Sequence, residues 1–186
     1  MILTTCAACA LPLPYEAKAT CAKCDTRYCS PTCRHAHWRG GHRGLCLEIR
    51  QSGGAEQYHA DKRYADALNL AVEACAEDTE GQACYICLED GSEEGLVRGC
   101  ACRGAAGYTY MSCLVRQAQI ATGDLDDFDN SDAAWDKWTM CGLCKQDFHG
   151  VVVNAIGWAC WKTYVGFPEA HDIRQSALST LSFLYL

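Results

Sequence analysis

Between Cys6 and Cys46 the sequence reads CAACALPLPYEAKATCAKCDTRYCSPTCRHAHWRGGHRGLC. Its cysteines come in pairs separated by two or three residues, and the stretch closes on a histidine and a cysteine separated by three. A short turn presents two such ligands to one tetrahedral Zn²⁺, and a second pair from elsewhere in the chain completes the shell. Four pairs predict two closed zinc sites, formed by Cys6, Cys9, Cys21, Cys24, Cys29, Cys33, His42 and Cys46.

A stretch this short needs the metal in order to fold. About 45 residues bury too little apolar surface for a stable core, whereas structural zinc contributes roughly 10–16 kcal/mol per site in finger peptides. The other explanation for 16 cysteines in 186 residues is a secreted disulfide framework. The metal-type spacing argues against it, and the apolar residues 2–13 lack the basic segment of a secretory leader.

Hydropathy and charge argue against a membrane protein and against a nucleic-acid-binding protein. No apolar run reaches the ~18 residues of a membrane span, so we expect an intracellular protein, cytoplasmic or nuclear, without a membrane partner. The formal net charge is −7, yet residues 1–50 carry seven Lys and Arg against three acidic residues. The rest of the chain carries nine bases and twenty acids. This balance argues against nucleic acid as a partner, because such binding depends on neutralising phosphates.

The first cysteine block resembles the MYND zinc finger. Tyr28 precedes the fifth cysteine, Trp38 follows the sixth by five residues, and a His-x3-Cys pair closes the stretch. The resemblance implies two interleaved zinc ions, one on Cys6, Cys9, Cys29 and Cys33 and the other on Cys21, Cys24, His42 and Cys46. It also implies a groove beside Trp38 that binds short proline-containing peptides. Arg34 stands where the family usually has glutamine, which leaves the peptide preference open.

The segment that follows predicts a helix. After the break at Ser52-Gly53-Gly54, apolar residues recur at three- and four-residue steps from Tyr58 to Cys75. The pattern indicates an amphipathic helix of about 20 residues, ending before Glu80-Gly81. We expect this helix to act as a spacer that packs against one finger.

A second block of paired cysteines resembles the RING-CH (RINGv) zinc finger. Its second pair is a Cys-x-Cys, within the run Gly99-Cys-Ala-Cys-Arg-Gly104, and Trp138 lies three residues before the last pair. The resemblance implies zinc ligation by Cys84, Cys87, Cys100, Cys102, Cys113, Cys141 and Cys144. With interleaved sites, the last two pairs, Cys100-x-Cys102 and Cys141-x2-Cys144, form one complete shell.

The other shell of the second block lacks a ligand. The family's histidine falls on Tyr110, and a neutral phenol with a pKa near 10 is a poor zinc ligand. Cys84, Cys87 and Cys113 would then share an ion whose fourth position is filled by Cys75, Cys160, His149 or water. Alternatively the site is weak or empty, so this finger holds one or two zinc ions and the first finger two.

RING-type fingers act as ubiquitin ligases without a nucleophile, by docking a conjugating enzyme and orienting its thioester-linked ubiquitin. The resemblance implies a docking patch made of Ile86, Trp138 and the Gly142-Leu143 loop, with both named side chains exposed. Many active members have proline where this chain has Gly142. Lys145 stands where a cation often contacts ubiquitin, although lysine does not replace arginine fully there.

The remaining segments predict no chemistry. Six acidic residues between Asp124 and Asp136 lack the EF-hand spacing and predict a solvated loop. From Val151 the pattern is helical, with one apolar face formed by Val152, Ile156, Ala159, Cys160 and Tyr164, and Pro168 opens a further helix. This helix pair packs back on the finger or begins a helical-repeat array. A zinc hydrolase is disfavoured because the ions are closed by cysteines and no His-Glu-x-x-His motif occurs.

Together these observations predict a small α+β protein stabilised by zinc. Its expected parts are a MYND finger (1–48), a linker helix (49–82), a RING-CH-like finger (83–149) and a helical tail (150–186). The expected function is recognition of a peptide or protein ligand, with the second finger acting as a ubiquitin-ligase module. The alternative is a non-enzymatic adaptor that binds peptides through the first finger.

Overall fold

A computed structural model of the chain describes residues 3–14, 16–17, 19–123 and 131–182. Within these ranges it has a two-stranded sheet and seven α-helices, which confirms the small α+β class. The strands are β1 (Ala19–Thr20) and β2 (Arg27–Tyr28). The helices are α1 (Pro31–His37), α2 (Arg43–Gln51), α3 (Ala55–Cys75), α4 (Met111–Thr122), α5 (Ser131–Trp135), α6 (Gly150–Tyr164) and α7 (Asp172–Ser182).

The first finger is a hairpin followed by a kinked helix pair. β1 and β2 are antiparallel, with Ala19 opposite Tyr28, and the Cys21–Cys24 turn joins them. Ser30 begins α1 by accepting a hydrogen bond from the Cys33 backbone N–H at 3.1 Å, and Pro31 occupies the first helical position. Gly41 has a φ of 132° and forms the kink before α2. This local geometry brings the ligands near Cys29 and His42 towards the hairpin.

The helix α3 is longer than a simple spacer needs and packs against both halves of the protein. Its 21 residues begin at Ala55, which is buried with Tyr58 in the core of the first finger. Further along, Ala60, Ala67 and Ala71 are buried in the apolar core of the second half of the protein, where α3 contacts α6. Small side chains at these positions allow the two helices to approach closely.

The helix α6 lies at the centre of the second half. It contacts α3, α4 and α7, and every residue from Ala155 to Trp161 is buried. The buried surface of α6 is therefore wider than the predicted apolar face, because Trp158 and Trp161 are buried as well. The finger itself packs on this helix: a Cβ atom added at Gly99 would lie 2.3 Å from Val152. The expectation that the tail packs back on the finger is confirmed.

An ion pair of a buried arginine with a partly exposed glutamate connects α7 to this assembly. Arg174 is 7% exposed, and its guanidinium donates hydrogen bonds to the carbonyls of Val165 at 2.5 Å and Phe167 at 2.7 Å. Its other amino group lies 2.6 Å from the Glu56 carboxylate on α3. A charge-assisted network of this kind fixes three segments in one geometry. In the part of the chain that the structure describes, no helix has the length and hydropathy needed to cross a membrane.

Replacing Arg174 with alanine is expected to lower the free energy of unfolding by about 2–4 kcal/mol, because it breaks a partly buried ion pair and leaves the carbonyl of the buried Val165 without its donor. Urea unfolding in saturating zinc, followed by tryptophan fluorescence, measures the change. The matched control is Lys162→Ala, which breaks an ion pair with Asp61 of 3.1 Å between side chains that are 33% and 41% exposed. It should cost less than about 1 kcal/mol. Equal losses in the two variants would contradict this account of α7.

Candidate metal centres

The four Cys-x2-Cys turns share one backbone geometry. In each, the N–H of the first cysteine donates to the carbonyl five residues later, at 2.8 or 2.9 Å. The residue after the second cysteine donates back to the carbonyl of the first, at 2.8 to 3.0 Å, and has a φ between 58° and 66°. Such positive φ values are uncommon outside glycine. Among the described non-glycine residues they occur at Ala10, Asp25, Leu88 and Lys145. The turn points both thiols of a pair to the same side.

The chain folds so that these turns meet other pairs distant in the sequence. The structure assembles four groups whose ligand atoms lie within 4.8 Å of one another. They are Cys6–Cys9–Cys29–Cys33, Cys21–Cys24–His42–Cys46, Cys100–Cys102–Cys141–Cys144 and Cys84–Cys87–Cys113. Both fingers are therefore interleaved as the resemblances imply, and each has two groups that suit zinc.

The distances within the groups fit tetrahedral zinc. With metal–sulfur bonds of about 2.3 Å, two ligand atoms on a tetrahedron lie about 3.8 Å apart. The Sγ atoms of Cys9 and Cys29 are 3.7 Å apart, and those of Cys102 and Cys141 are 3.8 Å apart. A disulfide would require about 2.05 Å. All 16 cysteines are free thiols, so the disulfide alternative is excluded for this structure.

Backbone hydrogen bonds favour the thiolate at the leading cysteines. Burial raises the pKa of Cys6 and Cys84. Hydrogen bonds outweigh it, from backbone N–H groups at Cys6 and from the Thr109 hydroxyl and backbone N–H groups at Cys84, and lower the pKa to about 6 and about 7 respectively. At the later ligands Cys46 and Cys113, burial raises the pKa to about 12. Zinc must displace protons from these thiols, so its affinity falls as the pH falls.

His42 is held as a neutral ligand in the first finger. It is 1% exposed, and burial lowers its pKa, which favours the unprotonated imidazole that zinc requires. Its Nε2 atom lies 3.4 Å from Cys24 Sγ. His37 stacks on it with ring centroids 5.0 Å apart and bonds the Tyr28 hydroxyl at 3.1 Å. The contacts of Tyr28 and His37 depend on the tertiary structure and could not be predicted from the sequence, whereas His35 is exposed.

The group Cys84–Cys87–Cys113 has three ligands. In the described ranges no further His, Cys, Asp or Glu side chain joins it. Cys75 instead bonds the Arg98 backbone, Cys160 is fully buried in α6, and His149 is exposed at the start of α6. The proposed fourth ligands from the chain, Cys75, Cys160 and His149, are therefore wrong for this conformation.

Tyr110 occupies the histidine position in another role. Its side chain is 3% exposed and packs with Cys84, Leu96 and Tyr108. Its hydroxyl accepts a hydrogen bond from the Ser92 N–H at 3.1 Å and donates to the Glu89 carbonyl at 3.3 Å. The phenol thus fastens the loop after the first turn by hydrogen bonds instead of through a metal.

One residue of the predicted docking patch lies elsewhere. Trp138 was expected to be exposed beside Ile86, and this is wrong, because its side chain is fully buried. It packs edge-on against Tyr164 of α6 with centroids 5.8 Å apart. Ile86 is half-buried, whereas Leu143 and Lys145 are exposed. Leu88, which the sequence reasoning missed, is 80% exposed.

The predicted groove residues of the first finger lie on α1 and the turn after it. Trp38 is half-buried, and its ring packs edge-on against the His42 ring with centroids 5.9 Å apart. Arg34 is exposed, and its guanidinium donates to the Thr20 carbonyl at 3.3 Å. A shallow surface depression is lined by Pro31, Thr32, Arg34, His35, Ala36, Arg39 and Gly40, and Trp38 is not among its lining residues. The predicted acidic loop falls mostly at 124–130, outside the described residues.

The three complete groups are expected to retain zinc in a chelator concentration that removes the ion from Cys84–Cys87–Cys113, because that group has the fewest protein ligands. Native mass spectrometry of the full chain during a chelator titration measures the number of ions. A single ion should leave first, and Cys113→Ser should abolish that step alone. Loss of all four ions together would contradict the inequality of the groups.

Changing Cys24 to serine is expected to unfold both sites of the first finger. Cys24 is 1% exposed, and its group crosses the Cys6 group along the chain. Amide-exchange protection should therefore disappear around Cys29 and Cys33, whose own ligands are intact. Cys75→Ser, outside the four groups, is the control. Protection that survives around Cys29 would argue against coupling between the two ions.

Comparisons with known proteins agree with this geometry. The family model of the MYND finger matches residues 6–46, and that of the RING-variant domain matches residues 84–144. A search of the curated proteins and a search of the solved structures each found no match. The boundaries of both family matches coincide with the first and last cysteines of the two interleaved blocks. The chain therefore contains a MYND finger followed by a RING-variant domain.

Proposed function

We propose that this protein is a RING-type ubiquitin ligase whose second finger docks a ubiquitin-conjugating enzyme. The two zinc-finger domains support protein interaction as the general function. A ligase of this type needs no nucleophile, because it accelerates transfer by holding the thioester-linked ubiquitin in a reactive orientation. What it needs is a rigid, apolar docking surface on the finger.

The observation that carries the proposal is the adjacency of the two turns that would form this surface. A Cβ atom added at Gly142 in the last turn would lie 3.5 Å from the Tyr85 hydroxyl in the first. Side chains that project from these turns include the half-buried Ile86, with Leu143 at 49% and Leu88 at 80% exposure. Exposed large apolar residues on two adjacent turns would suit a protein-binding surface.

The buried Trp138 supports this surface from behind. It lies in the 3₁₀ turn Asp136–Trp138, three residues before the last ligand pair, and packs against α6. The turn that follows, from Cys141 to Cys144, supplies two of the four ligands of the group Cys100–Cys102–Cys141–Cys144. We therefore assign Trp138 a positioning role and assign the docking contacts to Ile86 and Leu143. Lys145, exposed after the last cysteine, supplies the cation that would face ubiquitin.

Ile86→Ala and Leu143→Ala are each expected to reduce ubiquitin discharge from a conjugating enzyme at least tenfold, because they remove apolar contacts at the centre of the docking surface. Single-turnover discharge, with zinc content measured in parallel, provides the test. Leu70→Ala, which alters a leucine on α3 that is 55% exposed, is the matched control and should have no effect.

Discharge that is unaffected in both variants would remove these residues from the docking surface. If the natural sequence stimulates discharge from none of a broad panel of conjugating enzymes, the ligase proposal fails.

The depression on the first finger supports a second candidate, an adaptor that binds peptides. Arg34 and Arg39 line it together with His35, and none of the described acidic side chains forms an ion pair with either arginine. The half-buried Trp38 follows directly on α1. Positive charge without an acidic partner favours an acidic peptide by complementarity. The preference of this finger for acidic peptides would then follow from Arg34, which replaces the usual glutamine of the family.

Arg34→Gln is expected to weaken binding of a proline-containing peptide with flanking acidic residues about 5–10-fold, because it removes one charge from the groove. Fluorescence anisotropy at two salt concentrations measures the affinity and its salt dependence. Arg50→Gln, on the exposed end of α2, is the control for net charge. Equal affinity for acidic and neutral peptides in the natural sequence would contradict the assignment.

A further inference from the structure

The apolar surface assigned to docking on the second finger is bordered by an acidic loop. Leu88, which ends the first turn, is 80% exposed and is followed directly by Glu89 and Asp90. Glu93 lies in the same loop, and all three acidic side chains are exposed. From residue 64 to residue 97 the chain has nine acidic residues and no lysine or arginine. The most exposed leucine of the surface therefore lies at a negatively charged edge.

Hydrogen bonds hold this loop in one position relative to the first turn. The Glu89 carbonyl accepts from the Cys84 N–H at 2.9 Å and from the Tyr110 hydroxyl at 3.3 Å. The same hydroxyl accepts from the Ser92 N–H at 3.1 Å. At the far end of the loop, the Glu94 carboxylate is hydrogen-bonded to the start of α4. A loop fixed before binding loses little conformational entropy when a partner contacts it.

The described residues do not neutralise the charge of the loop. None of their ion pairs involves its three exposed carboxylates. Arg98 is the first base after the loop along the chain, and its guanidinium has other partners. It lies over the Tyr108 ring, 4.2 Å from the centroid, and donates to the Gly104 carbonyl at 2.7 Å. The negative charge of the edge is therefore available to a partner.

The charge of the edge indicates what kind of partner fits. Protein interfaces combine an apolar centre with a polar rim, and the charges on the two rims are complementary. Here the centre is the apolar surface of Ile86 and Leu143, and the rim beside Leu88 is acidic. A partner with lysine and arginine around its own apolar contact complements this surface, whereas an acidic partner is repelled.

We propose that the loop 89–93 is the acidic edge of the docking surface and selects ubiquitin-conjugating enzymes whose docking face carries lysine and arginine. This inference rests on the proposed ligase function and adds the class of enzyme that the finger accepts. Rim charges mainly accelerate association and discriminate between partners. The loop therefore acts on the choice of enzyme and on its affinity.

The test measures binding of a conjugating enzyme, without ubiquitin, to the full chain by isothermal titration calorimetry in saturating zinc. The enzyme is one that the natural sequence discharges and whose docking face is basic. The double variant Glu89→Gln/Asp90→Asn keeps the backbone hydrogen bonds of the loop. It should weaken binding about fivefold at about 30 mM salt, and the difference should disappear at about 500 mM salt because salt screens exposed charges.

Two controls establish that the effect comes from direct pairing. The double variant Glu16→Gln/Glu48→Gln changes the net charge equally at exposed positions of the first finger, and it should leave the affinity unchanged. A variant of the enzyme with glutamine in place of the lysines and arginines of its docking face should lose the same factor as the loop variant. Combining the enzyme variant with the loop variant should then add no further loss.

Three results would overturn the inference. They are equal losses in the two double variants, additive losses in the combined experiment, and a loss that occurs only with the ubiquitin-loaded enzyme. In the last case the loop would face ubiquitin instead of the enzyme.

Ile86→Ala separates this inference from the ligase proposal, because it should weaken binding at both salt concentrations. If Ile86→Ala weakens binding and the loop variant does not, the acidic edge is wrong and the docking surface stands. If the natural sequence binds and discharges no enzyme of a broad panel, the ligase proposal fails, and the selection of basic enzymes fails with it.

Discussion

The fold depends on metal–thiolate ties between segments that are far apart in the sequence. Cys9 and Cys29 meet with Sγ atoms 3.7 Å apart, and Cys102 meets Cys141 at 3.8 Å. Each tie fixes a tight turn whose backbone hydrogen bonds orient two ligands, and a second pair from another element completes the group. In the first finger little else is available, because the apolar core there is a small cluster around Tyr28 and Ile49. Zinc supplies most of the stability of such a module.

The second finger has additional support, and this explains how it accommodates the loss of a ligand. α3, α4, α6 and α7 form a large apolar cluster against which Val97 and Trp138 pack. Tyr110 replaces the family's histidine with a buried ring and two hydrogen bonds to the adjacent loop. Packing and hydrogen bonds thus hold the loop that a metal ligand holds in a complete finger. The apolar cluster of the first finger is much smaller, so this finger needs all four of its ligand pairs in order to fold.

The ligand groups could be predicted because their signal is local. A pair such as Cys21-x2-Cys24 fixes its own turn, and family resemblance supplied the pairing between turns. The position of Trp138 could not be predicted, because its burial depends on α6, which comes later in the chain. The burial of α6 on nearly every side likewise depends on three other helices. Sequence pattern showed that Tyr110 is a poor ligand, but only the structure showed which groups its hydroxyl contacts.

The central claim is that each ion is shared between distant segments, and ¹¹³Cd substitution tests it most directly. Scalar couplings from each ¹¹³Cd nucleus to cysteine Hβ protons identify the ligands of each ion. The account predicts that one ion couples to Cys6, Cys9, Cys29 and Cys33, and another to Cys100, Cys102, Cys141 and Cys144. A nucleus that couples to Cys6, Cys9, Cys21 and Cys24 would contradict it, because the pairs would then bind in sequential order.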